Sequence, residues 1–361
     1  MRGFKFFIAC LFFLLAGCGY KDIDKRFFVV AIGVDKSTSD HAKYKITFKA
    51  AIPPEKPSAK SNESEIVTTE TDSMTDAVRV LRSQLDKELD FSHAKAIILG
   101  QSFVEKEDVS EILDWFIRRR DIQGIAYMGV GSPTALEVLH IKPTFERLPG
   151  NALFLYFGRS GTEAPYIITE PLFDFYRRIK EKGVDPILPI IQAEGDKYSI
   201  RSSAIFKNYR MSLILNDLES EILNTFLGRL KKTDFKIHAD GKEFFVFADS
   251  AKLKYDLLVG EKTRIHIHCK MSVTIEESKE TLALEKLHQL EVLTEQEINK
   301  NVLKLVKKLQ QANVDPIGFG LRYRASHFNN QNEWQEWEKI YPEIEFTVNA
   351  DVRVRGTGAI Y

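Results

Sequence analysis

The first 18 residues decide how the rest of the chain must hold itself together. Arg2 and Lys5 are followed by an apolar run from Phe6 to Leu15, and then by Ala16, Gly17 and Cys18. That run is too short to cross a bilayer, since a spanning helix needs roughly 20 apolar residues. A basic start, a short apolar stretch and small residues before a cleavage point mark an export signal. The cysteine after Gly17 stands where a bacterial lipoprotein receives its diacylglycerol. Residues 1–17 are therefore expected to leave as a lipoprotein signal peptide, with lipidation at Cys18. Two acyl chains on one sulfur give stable anchoring, at about 0.8 kcal/mol per buried methylene, where one chain would not. The expected location is the outer face of a cytoplasmic membrane. A retained N-terminal helix with a chance cysteine is the competing reading, and the length of the run argues against it.

The same segment settles the cysteine chemistry. Cys10 leaves with the signal and Cys18 carries lipid, so Cys269 is the one thiol left and no intramolecular disulfide can form. The fold must then rest on apolar burial. Removing 17 of 361 residues leaves 344, a length for two or three domains. Apolar content of 44% and charged content of 28% are globular values. Basic and acidic residues balance at 51 each, and loss of Arg2 and Lys5 brings the net charge to −2. Near-neutrality argues against nucleic acid as a partner.

Periodicity divides the chain. Residues 18–26 read as a lipidated tether, and Phe27 to Val34 as a strand that pairs antiparallel with the alternating Tyr44, Ile46, Phe48, Ala50 and Ile52. Pro53 to Ser64, with three prolines, is expected to be a surface loop. The stripe Met74, Ala77, Val78, Leu81, Leu85 and Leu89 predicts a helix over 73–89. A buried strand at 94–99, a helix at 107–119, a strand at 125–130 and a short helix begun by Ser132-Pro133 follow. Such alternation predicts a mixed or partly parallel sheet. Helices are expected at 151–157 and at 171–182, the second stopped by Gly183, and the polar break Gly195-Asp196-Lys197 is expected to part an N-terminal α/β domain (27–194) from a C-terminal α+β domain (198–361). A further split is expected near residue 275.

Beyond the break, a hairpin is expected to turn at Lys207-Asn208, and Asp217 to cap a helix carrying Leu218, Ile222, Leu223, Phe226 and Leu230. Strands are expected at 235–238, 243–247, 252–258 and 265–275. Thr294 and Glu297 read as a capping box opening a long helix that ends at Asn313, ahead of Pro316. The unbroken alternation Ile344, Phe346, Val348, Ala350, Val352 and Val354 predicts a strand inside a sheet, whose removal should unfold its domain. The fold class expected is α+β, with mixed β-sheets and packed helices in two or three consecutive domains.

Chemistry is scarce. The chain lacks a Walker A loop, a His-Glu-x-x-His helix and a Gly-x-Ser-x-Gly elbow. Gly129 with Gly131 and Gly318 with Gly320 are turn glycines rather than a dinucleotide fingerprint. His266 and His268 share the polar face of a strand, but with no acidic or sulfur ligand assignable beside them they read as an exposed strand face. Cys269 points the other way, with Ile265 and Ile267, as a buried structural thiol. His93 reads as a structural, hydrogen-bonded residue, because no nucleophile accompanies it. Arg118, Arg119 and Arg120 complement a helix C-terminus, with a lipid phosphate as the alternative contact. Trp334 and Trp337, three apart, read as core anchors. No catalytic residue, metal site or cofactor is expected.

Four segments together resemble the Ger(x)C family, the lipoprotein C subunit of bacterial spore germinant receptors. They are Cys18 with Lys21 to Arg26 leading into Phe27–Asp35; Phe91-Ser92-His93-Ala94-Lys95 before Ala96–Gly100; Asp315-Pro316-Ile317-Gly318-Phe319-Gly320; and the tryptophan helix with Trp337, Pro342, Val352, Arg353 and Gly358. Many members follow the lipid cysteine with Trp-Asp, whereas Gly19-Tyr20 follows here. The resemblance implies a non-enzymatic, palmitate-bearing lipoprotein of the spore's inner membrane. It implies action beside two integral-membrane partners, the A and B subunits, in a response to small nutrients, and it leaves direct small-molecule binding open. Only Cys18 carries over as a functional position. A solute-binding lipoprotein of a transporter is the alternative, and an envelope hydrolase a third class.

Overall fold

The computed structural model describes residues 25–51, 64–143, 152–158, 164–239, 242–260, 262–278, 287–328 and 330–356. Cys18 with most of its tether, and the proline-rich loop expected at 53–64 except for Ser64, lie outside them. Elements are numbered among the described residues.

Apolar runs between polar breaks make the first sheet. Its strands are β1 (Arg26–Lys36), β2 (Tyr44–Ala51), β3 (Ser64–Thr71), β4 (Glu88–Asp90), β5 (Ala96–Gly100), β6 (Tyr127–Ser132), β7 (Glu170–Pro171), β8 (Ile187–Glu194), β9 (Lys197–Lys207) and β10 (Arg210–Leu215). They lie in the order β10-β9-β8-β6-β5-β1-β2-β3, with β4 against β1 and β7 against β6. The central strands β1, β5, β6 and β8 are parallel and the margins antiparallel. Every residue of β5 is buried, as expected where helices cover both faces of a parallel sheet.

One face packs under α1 (Met74–Gln84), α2 (Gln101–Lys106), α3 (Ser110–Arg118) and α6 (Leu172–Lys180); Ile97, Leu99, Met128 and Val130 point that way. The other face carries Ala31, Ala96 and Ile98 beneath α4 (Ala135–His140) and α5 (Ala152–Phe157). Small residues dominate this second face because α4 comes close: a Cβ on Gly131 would stand 2.9 Å from the Ala135 Cα. Helix α4 is held at both ends by buried charge. The Asp35 carboxylate accepts from the Ala135 and Leu136 amides at 2.8 and 2.9 Å, at the helix end that favours an anion. The Lys49 ammonium donates to the Leu139 and Ile141 carbonyls at 2.7 and 3.0 Å. Burial raises the Asp35 pKa and pulls Lys49 down to about 8.

The second sheet has the order β11-β12-β13-β14, from β11 (Thr233–Ala239), β12 (Lys242–Leu258), β13 (Arg264–Ser278) and β14 (Glu345–Gly356). Only β13 and β14 are parallel, joined by a long crossover through α8 (Leu287–Gln311), α9 (Phe319–Ser326) and α10 (Glu333–Ile340). One face is packed by these helices and by α7 (Asp217–Phe226); alternate residues of β13 are buried, and the intervening ones are exposed or half-buried. Because β14 pairs with β13, residues on both sides of position 275 share one sheet and one core.

Several expectations are corrected. The first helix ends at Gln84, since Asp86 to Glu88 reverse the chain and Leu89 reaches the core from β4 instead. Gly195-Asp196 is the turn of the β8–β9 hairpin, so the first sheet runs on to Leu215 and the second begins only at Thr233. Asn216, not Asp217, caps α7: its side chain accepts from the Glu219 amide, and Glu219 bonds back to the Asn216 amide. The strands expected at 243–247 and 252–258 are halves of one strand, β12, whose register shifts between Ala248 and Ser250. Thr294 lies inside α8 with its hydroxyl on the Leu290 carbonyl, so it opens nothing. β14 is an edge strand, although Phe346, Ala350 and Val352 still enter the core.

Replacing Asp35 by Ala leaves two buried helix amides without an acceptor. The expected cost is about 2 kcal/mol, read as a lower urea midpoint at unchanged slope. An unshifted midpoint would show that the cap contributes nothing.

Candidate functional site

Among the described residues, a cluster of buried charge lies where the two sheets meet, and it is built from backbone outward. Helix α8 stops where Asn313 takes a left-handed backbone (φ 51°). The chain then drops Asp315 against Asp185, which lies between α6 and β8. The Asp315 amide donates to the Asp185 carboxylate at 2.6 Å, and the Asp185 amide donates to the Asp315 carbonyl at 2.8 Å. The Asp315 carboxylate is turned back on its own loop and accepts from the Gly318 and Gly320 amides at 2.8 and 2.7 Å. Glycine is required here. Gly318 has φ +90°, and a Cβ on Gly320 would collide with the Trp337 indole and stand 2.9 Å from the Gly183 Cα. Gly183, itself at φ +95°, offers its carbonyl to the Leu321 amide at 2.8 Å.

An ionic chain runs from this loop into the first domain. Arg178 reaches the Pro316 carbonyl at 3.0 Å and pairs with the fully buried Glu170 at 3.2 Å, and Arg229 holds the other Glu170 oxygen at 2.8 Å. Lys207 stands 3.4 Å from Asp185. Burial raises the pKa of Glu170 and of Asp185, and it pushes Asp315 up to about 7, with the neighbouring Asp185 charge adding to the effect. Beside the polar chain an apolar cluster crosses the same boundary. Ile187, Ile205 and Leu215 of the first sheet pack with Leu223, Leu305, Leu309 and Val314. The two domains thus meet through an interface that is apolar and ion-paired at once.

The residues singled out in sequence fall into place as structure. His268 pairs with Asp256 of the neighbouring strand at 3.0 Å, and His266 bonds to Thr347 across β14. Among the described residues no group of three His, Cys, Asp or Glu side chains stands together as a metal site. Cys269 is buried, and burial lifts its thiol to about 12. Trp337 is buried between Tyr323 and Tyr341, while Trp334 packs at the edge of that core. His93 is exposed and meets the Phe28 ring edge-on at 5.1 Å, so a ring contact stands where a hydrogen bond was expected. Arg119 lies over the Phe91 and Trp115 rings and pairs with Asp121, whereas Arg118 is exposed. A crevice between α7, α8 and β11 is lined by apolar side chains with Glu221 and Thr233 on its wall. Its cavity of about 40 Å³ holds a few waters at most. Burial pushes Glu221, bonded by the Thr233 hydroxyl, up to about 7.

Sequence reasoning missed Asp35, Lys49, Glu170, Arg178 and Asp185. Asp35 and Lys49 had a usable signal, because each is a charge set inside or at the end of an apolar strand. The others reveal their roles only in three dimensions.

The fold and this junction define a class: two mixed α+β domains fused through a glycine loop. Residues 19–193 match the model of the spore germination protein N-terminal domain, and residues 201–358 match that of the spore germination B3/GerAC-like C-terminal domain. The chain belongs to this family of GerC-like spore germination proteins. The border between the two matches falls at the β8–β9 turn, close to the domain boundary expected from sequence, while the sheet itself runs across it. Spore germination protein B3 of Bacillus subtilis (strain 168) is 23% identical over 371 residues, covering 98% of each chain. Spore germination protein GerQC of Bacillus cereus is 23% identical over 75% of this chain and 76% of its own. The crystal structure of the GerBC protein superposes with a TM-score of 0.60 at 18% identity, covering 92% of this chain and 100% of that one.

Asp315 makes the junction sensitive to pH. Its folded pKa of about 7 lies above the ordinary 3.8, so the folded chain holds the proton more tightly than the unfolded one. The stabilisation is full below the unfolded value and is lost as pH rises through about 7. An Asp315→Asn variant cannot titrate. The wild type should therefore gain about 2 kcal/mol on the variant between about pH 8 and pH 5, measured from paired urea curves. Parallel pH profiles would sink this assignment.

Proposed function

We propose that the chain is the lipid-anchored, non-enzymatic C subunit of a nutrient germinant receptor. Membership in the family ties it to spore germination. In this reading diacylglycerol on Cys18 holds the protein on the outer face of the spore's inner membrane, and it acts through contacts with the integral-membrane A and B subunits. The observation that carries the reading is the family match across both domains, beginning directly after Cys18. The body adds support of a different kind, because Asp35, Lys49, Glu170, Arg178 and Asp315 are spent on helix ends and on the domain junction. A transporter's solute-binding lipoprotein would need two similar lobes around an open cleft. Here the two sheets differ in strand order, and an apolar cluster fills the space between them.

Mass spectrometry of the protein from spore membranes should show an acylated N-terminal Cys18, and Cys18→Ala should release the chain from the membrane fraction. An intact leader with a free thiol would remove the anchor from this reading. Deleting the gene should slow germination in at least one nutrient, and normal responses to every nutrient, in a strain stripped of paralogues, would remove the receptor role.

A further inference from the structure

The short tether limits how the body can sit. Residues 19–25 separate Cys18 from the start of β1, and that stretch reaches no further than about 25 Å even when extended. Strands β1, β5 and β6 are parallel and start from the same end of the sheet: Ala96 and Tyr127, the first residues of β5 and β6, stand level with Ala31, and β1 begins five residues further out, beside β4, at Arg26 where the tether arrives. The Lys95 amide donates to Val30 and the Tyr127 amide to Lys95 along this rim. Here the surface changes character. Ile125 is 61% exposed and Phe173 is 49% exposed. The two are neighbours, because the Phe173 amide donates to the Gly124 carbonyl at 3.0 Å.

Four cations stand on the segments that carry this pair and on the neighbouring rim, with Asp114, Asp121 and Asp174 among them. Arg118 has 81% of its side chain exposed, with Asp114 only at 3.6 Å. Arg120 is exposed in the same connection, five residues before Ile125. Arg177 follows Phe173 by one turn on α6 and keeps half its side chain in solvent while pairing with Asp174. Lys95 reaches over the Phe154 ring on the near side of the rim. Single exposed apolar residues are ordinary. An aliphatic and an aromatic side chain on segments that also carry exposed cations, at the end to which a lipid tether leads, form a surface suited to a bilayer interface.

We propose that this end of the first domain rests on the membrane that holds Cys18, with Ile125 and Phe173 at the headgroup boundary and Lys95, Arg118, Arg120 and Arg177 facing anionic headgroups. The inference rests on the lipid-anchor reading and adds an orientation to it. The tether keeps the face close to the bilayer, so a weak attraction suffices, and each cation strengthens it roughly fivefold.

The full acylated protein, reconstituted in phosphatidylcholine vesicles containing phosphatidylglycerol, provides the test. Cys269 is buried and Cys18 is acylated, so Ile125→Cys or Asp40→Cys accepts a single fluorophore. Asp40 lies in the exposed β1–β2 turn at the far end of the same strands. Spin-labelled headgroups should quench the label at position 125 and leave the label at position 40 bright. Arg118→Glu combined with Arg120→Glu should cut that quenching by about half or more, with flotation of the protein on the vesicles unchanged. A bright label at position 125 on floating vesicles overturns the proposal while the anchor stands. Crosslinking of position 125 to an integral-membrane protein in spore membranes, with no quenching in pure lipid, assigns the face to that protein and also overturns it. Failure to float removes the anchor, and the orientation with it.

Discussion

The reciprocal contact between Asp185 and Asp315 is the interaction on which the rest of the molecule depends. Each residue gives its backbone amide to the other, and the Asp315 carboxylate then fixes the loop that carries Gly318 and Gly320. Burying carboxylates is costly unless donors meet them. The cost is offset here by three amides and by Lys207 at the rim. Removing one member would leave the others buried and unpaired, which costs more than the intact pair contributes. The contact works mainly as registry. It sets where α8 ends and where α9 begins, and so where the helix layer of the second sheet sits against the first.

Much of this was legible before any coordinates. The strands β1, β2, β5, β6 and β14, the stripe of α8 and the buried thiol follow from periods of two and of 3.6 residues, which depend on local sequence, whereas β3, β4, β7 and the proline-bearing β8 are not foreseen as strands. What failed was punctuation. Gly195-Asp196 reads equally well as a linker or as a hairpin turn, and only the pairing of β8 with β9 decides between them. Thr294 and Glu297 have the spacing of a capping box, but Leu290 and Leu293 extend the apolar stripe upstream and keep the helix going through them. Asn216 and Asp217 are both good caps, and the one whose partner stands three residues on, Glu219, takes the role. The junction could not be read at all. Glu170, Arg178 and Asp185 are ordinary surface-type residues until the glycine loop, more than 130 positions after Asp185, closes over them.

The motifs behind the family resemblance gain a common physical sense. Phe27–Asp35 ends in the carboxylate that pins α4, and Gly100, at the end of the Ala96–Gly100 strand, is glycine because a Cβ there would occupy the place of that same carboxylate. In Phe91–Lys95, Ser92 is held by Asp90, and Lys95 joins β1 to β6 through its backbone. Asp315–Gly320 is the latch, and Trp337 fills the space that Gly320 leaves open. Each motif fixes the path of the backbone.

Open strand edges are where unwanted pairing begins, and the second sheet guards one of its own. β14 closes the second sheet with its outer amides turned away from β13, and α8 lies alongside it. Glu295 accepts from the Val352 amide and Glu291 from the Val354 amide, both at 3.0 Å. Charged side chains thus occupy part of the edge that another strand would need. The position of α8 is set at its far end by the latch, so the same contact that fuses the domains also keeps these glutamates on the edge.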